Sequence, residues 1–143
     1  MANINIIYPL AKKLIPSGDI NLTTSVIKVA LMNGYTYNPA HYYWNDVSSY
    51  EISPTGSYPA GGVALMSKVI NLDYLNEEGY FDAADLVLGT GMTAQFQQIV
   101  IYKDTGKAST SPLIGCILLE SKVNLSSQGC KIVWHTDGIM RFL

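Results

Sequence analysis

The last third of the chain, residues 96–143, most constrains what it can fold into. It alternates the apolar runs FQQIVIY, PLIGCILLE and CKIVW with the polar segments KDTGKASTS and SKVNLSSQG. Short apolar runs between Gly- and Ser-rich turns are typical of strands that pair consecutively in an antiparallel sheet. Residues 103–112 therefore predict a long hairpin between strands at 99–102 and 113–119. The segment contains no recognisable catalytic constellation.

The upstream sequence adds further strands of the same kind. Residues 25–32 are rich in β-branched side chains, and Ile27, Val29 and Leu31 would form an apolar face opposite a more polar one. With seven or eight strands in all, we expect a mostly β protein, an antiparallel β-sandwich or jelly roll. The other predicted elements are strands at 63–72, 83–88, 95–102, 131–134 and 139–143, a polar turn at 73–81, a glycine-rich connecting loop at 89–96 and a serine-rich loop at 120–130.

The length of 143 residues predicts a single β-sandwich domain at 19–143, preceded by an N-terminal segment at 1–18. That segment is either a short helix or an extended arm. A helix would place Pro9 in its first turn and end at the Ile-Pro-Ser-Gly sequence of 15–18. An arm would reach across to a neighbouring subunit.

Composition and charge exclude several classes of function. The net charge is −2, and the nine Lys and Arg residues are scattered, so no basic face for nucleic acid is expected. No apolar run approaches the roughly 20 residues needed to span a bilayer, and the N-terminus lacks the order of a secretory signal, so we expect no membrane partner. Charged residues make up only 14% of the chain, which suits a surface covered by neighbours as well as an ordinary β domain.

No chemistry-bearing cluster stands out in the sequence. His41 and His135 lack the spacing of metal ligands, and no nucleophile elbow or phosphate-binding loop is complete. We therefore expect no catalytic residue, no metal and no cofactor. A hydrolase that uses Glu77, Asp82 or Asp85 is a minor hypothesis.

Two cysteines, Cys116 and Cys130, lie in or beside apolar runs. They could form a bridge if their strands are neighbours. Synthesis in cytoplasm favours buried free thiols instead.

Residues 35–58 differ in character from the rest of the chain. They hold six tyrosines and Trp44 without a sustained period, which predicts a long loop with a brief helical or extended piece around 41–47. Tyr and Trp are enriched at protein interfaces, although the same rings could instead roof the loop's own small core. The predicted contact residues are Tyr35, Tyr37, Tyr42, Tyr43 and Trp44 of the loop, with Ile4, Ile6, Ile7 and Tyr8 of the N-terminal segment.

Three stretches of the sequence resemble a family of small tailed-bacteriophage proteins. They are VIKVALMNGYTYNPAH, FDAADLVLGTGMTAQFQQIVIYKDTGKASTSPLIGCI and CKIVWHTDGIMRFL, and they follow the family's order from about residue 19 to 143. Pro9 and the serine-rich 120–130 segment depart from the family pattern. The resemblance implies a non-enzymatic structural protein of the virion, assembled in the host cytoplasm.

Several roles within a virion remain open at the level of sequence. A capsid decoration (cement) protein fits the small size, the predicted β structure and the low charge best; it would bind the major capsid protein, commonly as a homotrimer. A tail or neck component that binds tail proteins is the second role. A glycan-binding module of a tail fibre, with Trp44 or a neighbouring tyrosine stacked on sugar rings, is the third.

Overall fold

A computed structural model describes residues 2–142, which form two antiparallel sheets and two short α-helices. The mostly β fold, consistent with a β-sandwich, confirms the predicted fold class. The strands are β1 (Ile6–Ile7), β2 (Ile27–Met32), β3 (Val63–Ala64), β4 (Val69–Asp73), β5 (Glu78–Asp82), β6 (Leu86–Lys103), β7 (Leu113–Ile132) and β8 (Met140–Phe142), and the helices are α1 (Pro9–Ser17) and α2 (Trp44–Val47). Single 3₁₀ turns follow at Ser48–Tyr50 and Ala108–Thr110.

The larger sheet has apolar packing on both faces. Its strand order is β1-β7-β6-β2-β3, and the smaller sheet has the order β4-β5-β8. On one face Ile27, Val29 and Leu31 join residues of the smaller sheet, among them Phe81, in what we call the first core. The other face carries a second core, formed by Tyr8, Ala30, Met32, Tyr35, Trp44, Val47, Val100, Tyr102, Leu113 and Cys116. The prediction of a more polar second face for β2 is therefore wrong from Ala30 onward. The tyrosine-rich loop and the N-terminal segment cover that face of the strand.

β6 and β7 form one continuous antiparallel ribbon. The predicted hairpin is confirmed, with Ile99 opposite Ile117 and Tyr102 opposite Leu113. The loops predicted at 89–96 and 120–130 are wrong, because both segments lie within the strands. Register shifts between Leu88 and Met92 and between Phe96 and Gln98 mark irregularities where extra residues bulge out. Gly- and Ser-rich sequence therefore bends these strands without ending them.

The single strand predicted at 63–72 is two strands in different sheets. β3 pairs with β2, whereas β4 pairs with β5. Between them Leu65 is buried and donates its N–H to the Ile27 carbonyl oxygen at 2.8 Å, and Ser67 has a φ of 54°. The predicted turn at 73–81 is likewise too long, because β5 begins at Glu78 and pairs on both sides.

The N-terminal segment contains both predicted forms and packs on its own chain. β1 pairs with β7, and α1 begins with Pro9 in its first turn, as expected. α1 continues through Pro16 and ends at Gly18, whose φ of 87° is the left-handed conformation that commonly closes a helix. Neither helix in residues 2–142 has the length and apolar character needed to cross a membrane.

Both cysteines are free thiols on the same strand, β7. Cys116 lies opposite Val100 and Cys130 opposite Leu88. Cys116 is fully buried, as predicted, and Cys130 is half-buried. Burial raises the pKa of the Cys116 thiol to about 11, more than a hydrogen bond from Tyr8 lowers it.

Candidate functional site

Three of the predicted contact residues are buried in the second core. Tyr8 is fully buried, Tyr35 is 3% exposed and Trp44 is 8% exposed. The hydroxyls of Tyr8 and Tyr35 lie 2.8 Å apart, and the Tyr35 hydroxyl lies 2.9 Å from Nδ1 of His41. Burial is the main reason that the pKa of both phenols is raised. These side chains have almost no surface left to offer a partner.

Trp44 covers one side of the second core. Its ring stacks on Tyr102 with centroids 4.4 Å apart and an interplanar angle of 6°. Its backbone N–H donates to the Ser111 carbonyl oxygen at 2.8 Å, which attaches α2 to the segment after the hairpin turn. At Trp44 the tyrosine-rich loop therefore covers a core of its own chain, which is one of the two interpretations that the sequence left open. Trp44 cannot stack on a sugar ring in this arrangement.

A buried tyrosine fastens the far end of the same loop. The Tyr58 hydroxyl donates to Glu51 Oε2 at 2.7 Å and accepts the Leu31 N–H at 2.9 Å. Glu51 also accepts the N–H of Gly61, and the Tyr102 hydroxyl donates to the Gly61 carbonyl oxygen at 2.5 Å. Burial, and then the hydrogen bond to Glu51, raises the pKa of Tyr58. This network fixes the loop to β2 and β6.

The remaining predicted contact residues do not form one exposed surface. Tyr42 is 48% exposed, whereas Tyr37 and Tyr43 are half-buried. Ile4, Ile6 and Ile7 are also half-buried, because they pack along their own sheet. An interface role therefore stays a prediction, best supported by exposure at Tyr42.

The carboxylates considered for hydrolysis make local contacts. Asp85 accepts the backbone N–H of Trp134 at 3.0 Å, and Asp82 accepts the N–H of Ala83 at 2.9 Å. Glu77 is exposed in the β4–β5 turn with a φ of 56°. Asp82 and Asp85 therefore have a structural role, and Glu77 is an exposed turn residue. Within residues 2–142, no group of three or more His, Cys, Asp or Glu is placed to hold a metal ion.

The smaller sheet carries an exposed apolar surface that the sequence did not reveal. On its core side, Ile70, Phe81 and Met140 form one row across the three strands, and Phe81 and Met140 are buried. The next row on the same side holds Leu72, Gly79 and Phe142. Leu72 is 76% exposed and Phe142 37% exposed. The apolar side of the sheet thus continues one row beyond the part that the core covers.

The turn after β4 extends this surface. Tyr74 is 75% exposed and Leu75 is 80% exposed. We call Ile70, Leu72, Tyr74, Leu75 and Phe142 together the apolar edge surface. β4 is also one of the two edge strands of its sheet. Residues 63–72 offered no signal for this exposure, because apolar residues occupy both alternating faces of the strand predicted there, and Tyr74 and Leu75 fell in the predicted polar turn.

No family model, curated protein or solved structure matches this chain.

Proposed function

We propose that this chain is a non-enzymatic structural protein of a bacteriophage virion, with capsid decoration as its specific role. The apolar edge surface carries the proposal. An exposed strand edge with apolar side chains and no charge over residues 69–72 is unusual on an isolated protein, because edge strands normally carry charges, prolines or bulges that prevent association. The resemblance of three sequence stretches to small tailed-phage proteins supports the setting.

The occupant that we propose for the apolar edge surface is a neighbouring copy of this chain. Residues 69–72 of β4 carry no charge, so this part of the strand can pack against an apolar neighbour; Asp73 ends the strand. An oligomer, expected to be a trimer, would cover Leu72 and Leu75 and present several identical shell-binding faces together. Many weak contacts with the major capsid protein would then act as one strong attachment.

The location of the protein is tested by its copy number in purified particles. We expect a number comparable with that of the major capsid protein, measured by quantitative mass spectrometry against labelled peptides. A handful of copies per particle would favour the tail or neck role instead. Absence from the particle would contradict a virion role altogether.

The assembly surface is tested by charge substitutions. We expect the purified chain to be an oligomer by size-exclusion chromatography with light scattering, and Leu72→Asp with Leu75→Asp to give a monomer. Both side chains are more than three-quarters exposed, so the free energy of unfolding of the monomeric unit should change little.

Val87→Asp is the matched control for this surface. Val87 is 73% exposed but lies on β6, outside the apolar edge surface. It should leave the oligomer intact. A monomeric wild-type chain, or equal dissociation by Val87→Asp and the Leu72/Leu75 variant, would show that this surface is not the contact between copies.

A further inference from the structure

A polar groove lies on the side of the molecule between the tyrosine-rich loop and β6. Its volume is about 560 Å³, within the range of small-molecule sites. Residues 49–55 form one wall, Thr93 to Gln95 of β6 form the other, and Asn33 closes one end. None of these lining residues belongs to the second core or to the apolar edge surface.

The free polar groups in this groove are neutral. Among residues 2–142, the amides of Asn33 and Gln95 and the hydroxyls of Ser49 and Ser53 form no hydrogen bond to another residue, and each can donate as well as accept. Glu51 is the single charged residue in the described lining, and no Lys, Arg or His is part of it. An anionic ligand would therefore lack a counter-charge.

Tyr50 supplies an aromatic wall. Its ring packs on Tyr35 with centroids 5.5 Å apart, yet Tyr50 is 42% exposed and is one of the residues that line the groove. The face of an aromatic ring is electron-rich, so it attracts the polarised C–H bonds on the apolar face of a pyranose ring. An exposed aromatic ring beside free amides and hydroxyls matches the mixed surface of a sugar.

The groove walls are held in place before any ligand binds. Asn33 donates its N–H to the Tyr50 carbonyl oxygen at 3.0 Å, and Ile52 donates to the Leu31 carbonyl oxygen at 3.0 Å. Across the groove, the Thr93 N–H donates to Thr55 Oγ1 at 3.0 Å. These bonds tie the loop to β2 and to β6, so little conformational entropy would be lost on binding.

We infer that this groove binds a neutral saccharide of one or two rings, with Tyr50 stacked on one ring and Asn33 and Gln95 hydrogen-bonded to its hydroxyls. The site is independent of the assembly role proposed above, because it shares no residue with the apolar edge surface. The sequence led us to expect Trp44 or a neighbouring tyrosine on the sugar ring, and Trp44 takes no part in this site.

Binding is tested first with named probes. Saturation-transfer difference NMR on the wild-type chain with maltose, lactose and N,N′-diacetylchitobiose should show transfer from protein to at least one of them, with an affinity in about the millimolar range. An array of neutral and acidic glycans should give hits among the neutral ones. No transfer to any probe together with no neutral hit on the array would overturn the inference, as would hits confined to acidic glycans.

The position of the site is tested by substitution. Tyr50→Ala should lower the affinity for the sugar detected in the first test by about fivefold to tenfold. Tyr50→Phe should retain binding, because it keeps the ring. Tyr42→Ala is the matched control, since Tyr42 is similarly exposed in the same loop but lies outside the groove. Gln95→Ala should also weaken binding, and Gln128→Ala, on β7, should not.

Two results would contradict this placement. One is an unchanged affinity for the sugar in Tyr50→Ala, provided that the variant has the same free energy of unfolding as the wild-type chain. The other is an equal loss in Tyr42→Ala. Either result would place any sugar binding elsewhere on the chain.

Discussion

At the scale of single residues, Gly62 is the position where backbone geometry leaves least choice. Its φ is 91°, and a Cβ there would overlap the Val29 carbonyl oxygen and lie 2.8 Å from its carbon. Gly62→Ala should therefore lower the free energy of unfolding by at least about 2 kcal/mol, measured by urea denaturation. Gly106→Ala is the control, because Gly106 has a similar φ of 87° with open space around it. Equal losses would contradict the close-approach explanation.

A second residue-scale effect concerns acid. The Lys28 ammonium, 2.7 Å away, and then the Gly106 N–H, 2.8 Å away, hold the pKa of Asp104 below its usual value. A lowered carboxyl pKa stabilises the fold above the unfolded pKa of about 3.9, and this stabilisation is lost as pH falls through the folded pKa. The free energy of unfolding should therefore decrease below about pH 4.

Asp104→Asn tests this origin of the acid sensitivity. The variant should be less stable than the wild-type chain at neutral pH and should show a shallower decrease on acidification, measured by urea denaturation across the acidic range. The ion pair is about a quarter exposed, so the difference should be small. An unchanged slope would assign the acid sensitivity to other carboxylates, such as Asp46, whose pKa the N–H groups of Tyr42 and Tyr43 lower.

At the scale of elements, the N-terminal segment acts as part of the sheet. β1 pairs with β7, Ile4 donates its N–H to Ile139, and the Ile4 side chain covers Gly115 so closely that a Cβ there would lie 2.8 Å from Ile4 Cγ2. Removing residues 1–7 should lower the free energy of unfolding by about 2–4 kcal/mol, from lost apolar burial and hydrogen bonds.

A chemical denaturation curve measures this loss, and Lys12→Ala, on the exposed side of α1, is the control. An arm that only reaches a neighbouring subunit predicts the opposite pattern. It would leave the stability of the truncated chain unchanged and reduce only its association.

At the scale of the whole molecule, the two cores share one sheet. β2 contributes Ile27 and Leu31 to the first core and Met32 to the second, so loss of β2 would disrupt both cores. Trp134 lies in the first core and Trp44 in the second. The fluorescence transitions of Trp44→Phe and Trp134→Phe should therefore each coincide with that variant's transition by far-ultraviolet circular dichroism in urea. Separate midpoints for the two probes would indicate that one core unfolds first.

Much of the architecture was predictable because it depends on local pattern. The 103–112 turn sequence predicted the hairpin, and the β-branched run of residues 25–32 predicted β2. The boundaries at 63–72 and 89–96 were not predictable from local pattern. The 63–72 run divides because its first part pairs with β2 and its last part with β5, whereas glycine weakens the 89–96 segment but pairing with β7 carries the strand through it. The tyrosine-rich loop shows the same limit: composition indicated large rings in residues 35–58, and burial decided which of them face a core.

The sequence by itself determined the fold class, the main hairpin and the irregular character of the tyrosine-rich loop, because each follows from residue type and spacing along the chain. Only the tertiary structure decided which apolar side chains are covered. Alternation along a strand gives two faces, and which face is buried depends on what packs there. Trp44 and Leu72 illustrate the outcome: the tryptophan expected at an interface is buried against Tyr102, and the leucine of an apparently ordinary strand is 76% exposed.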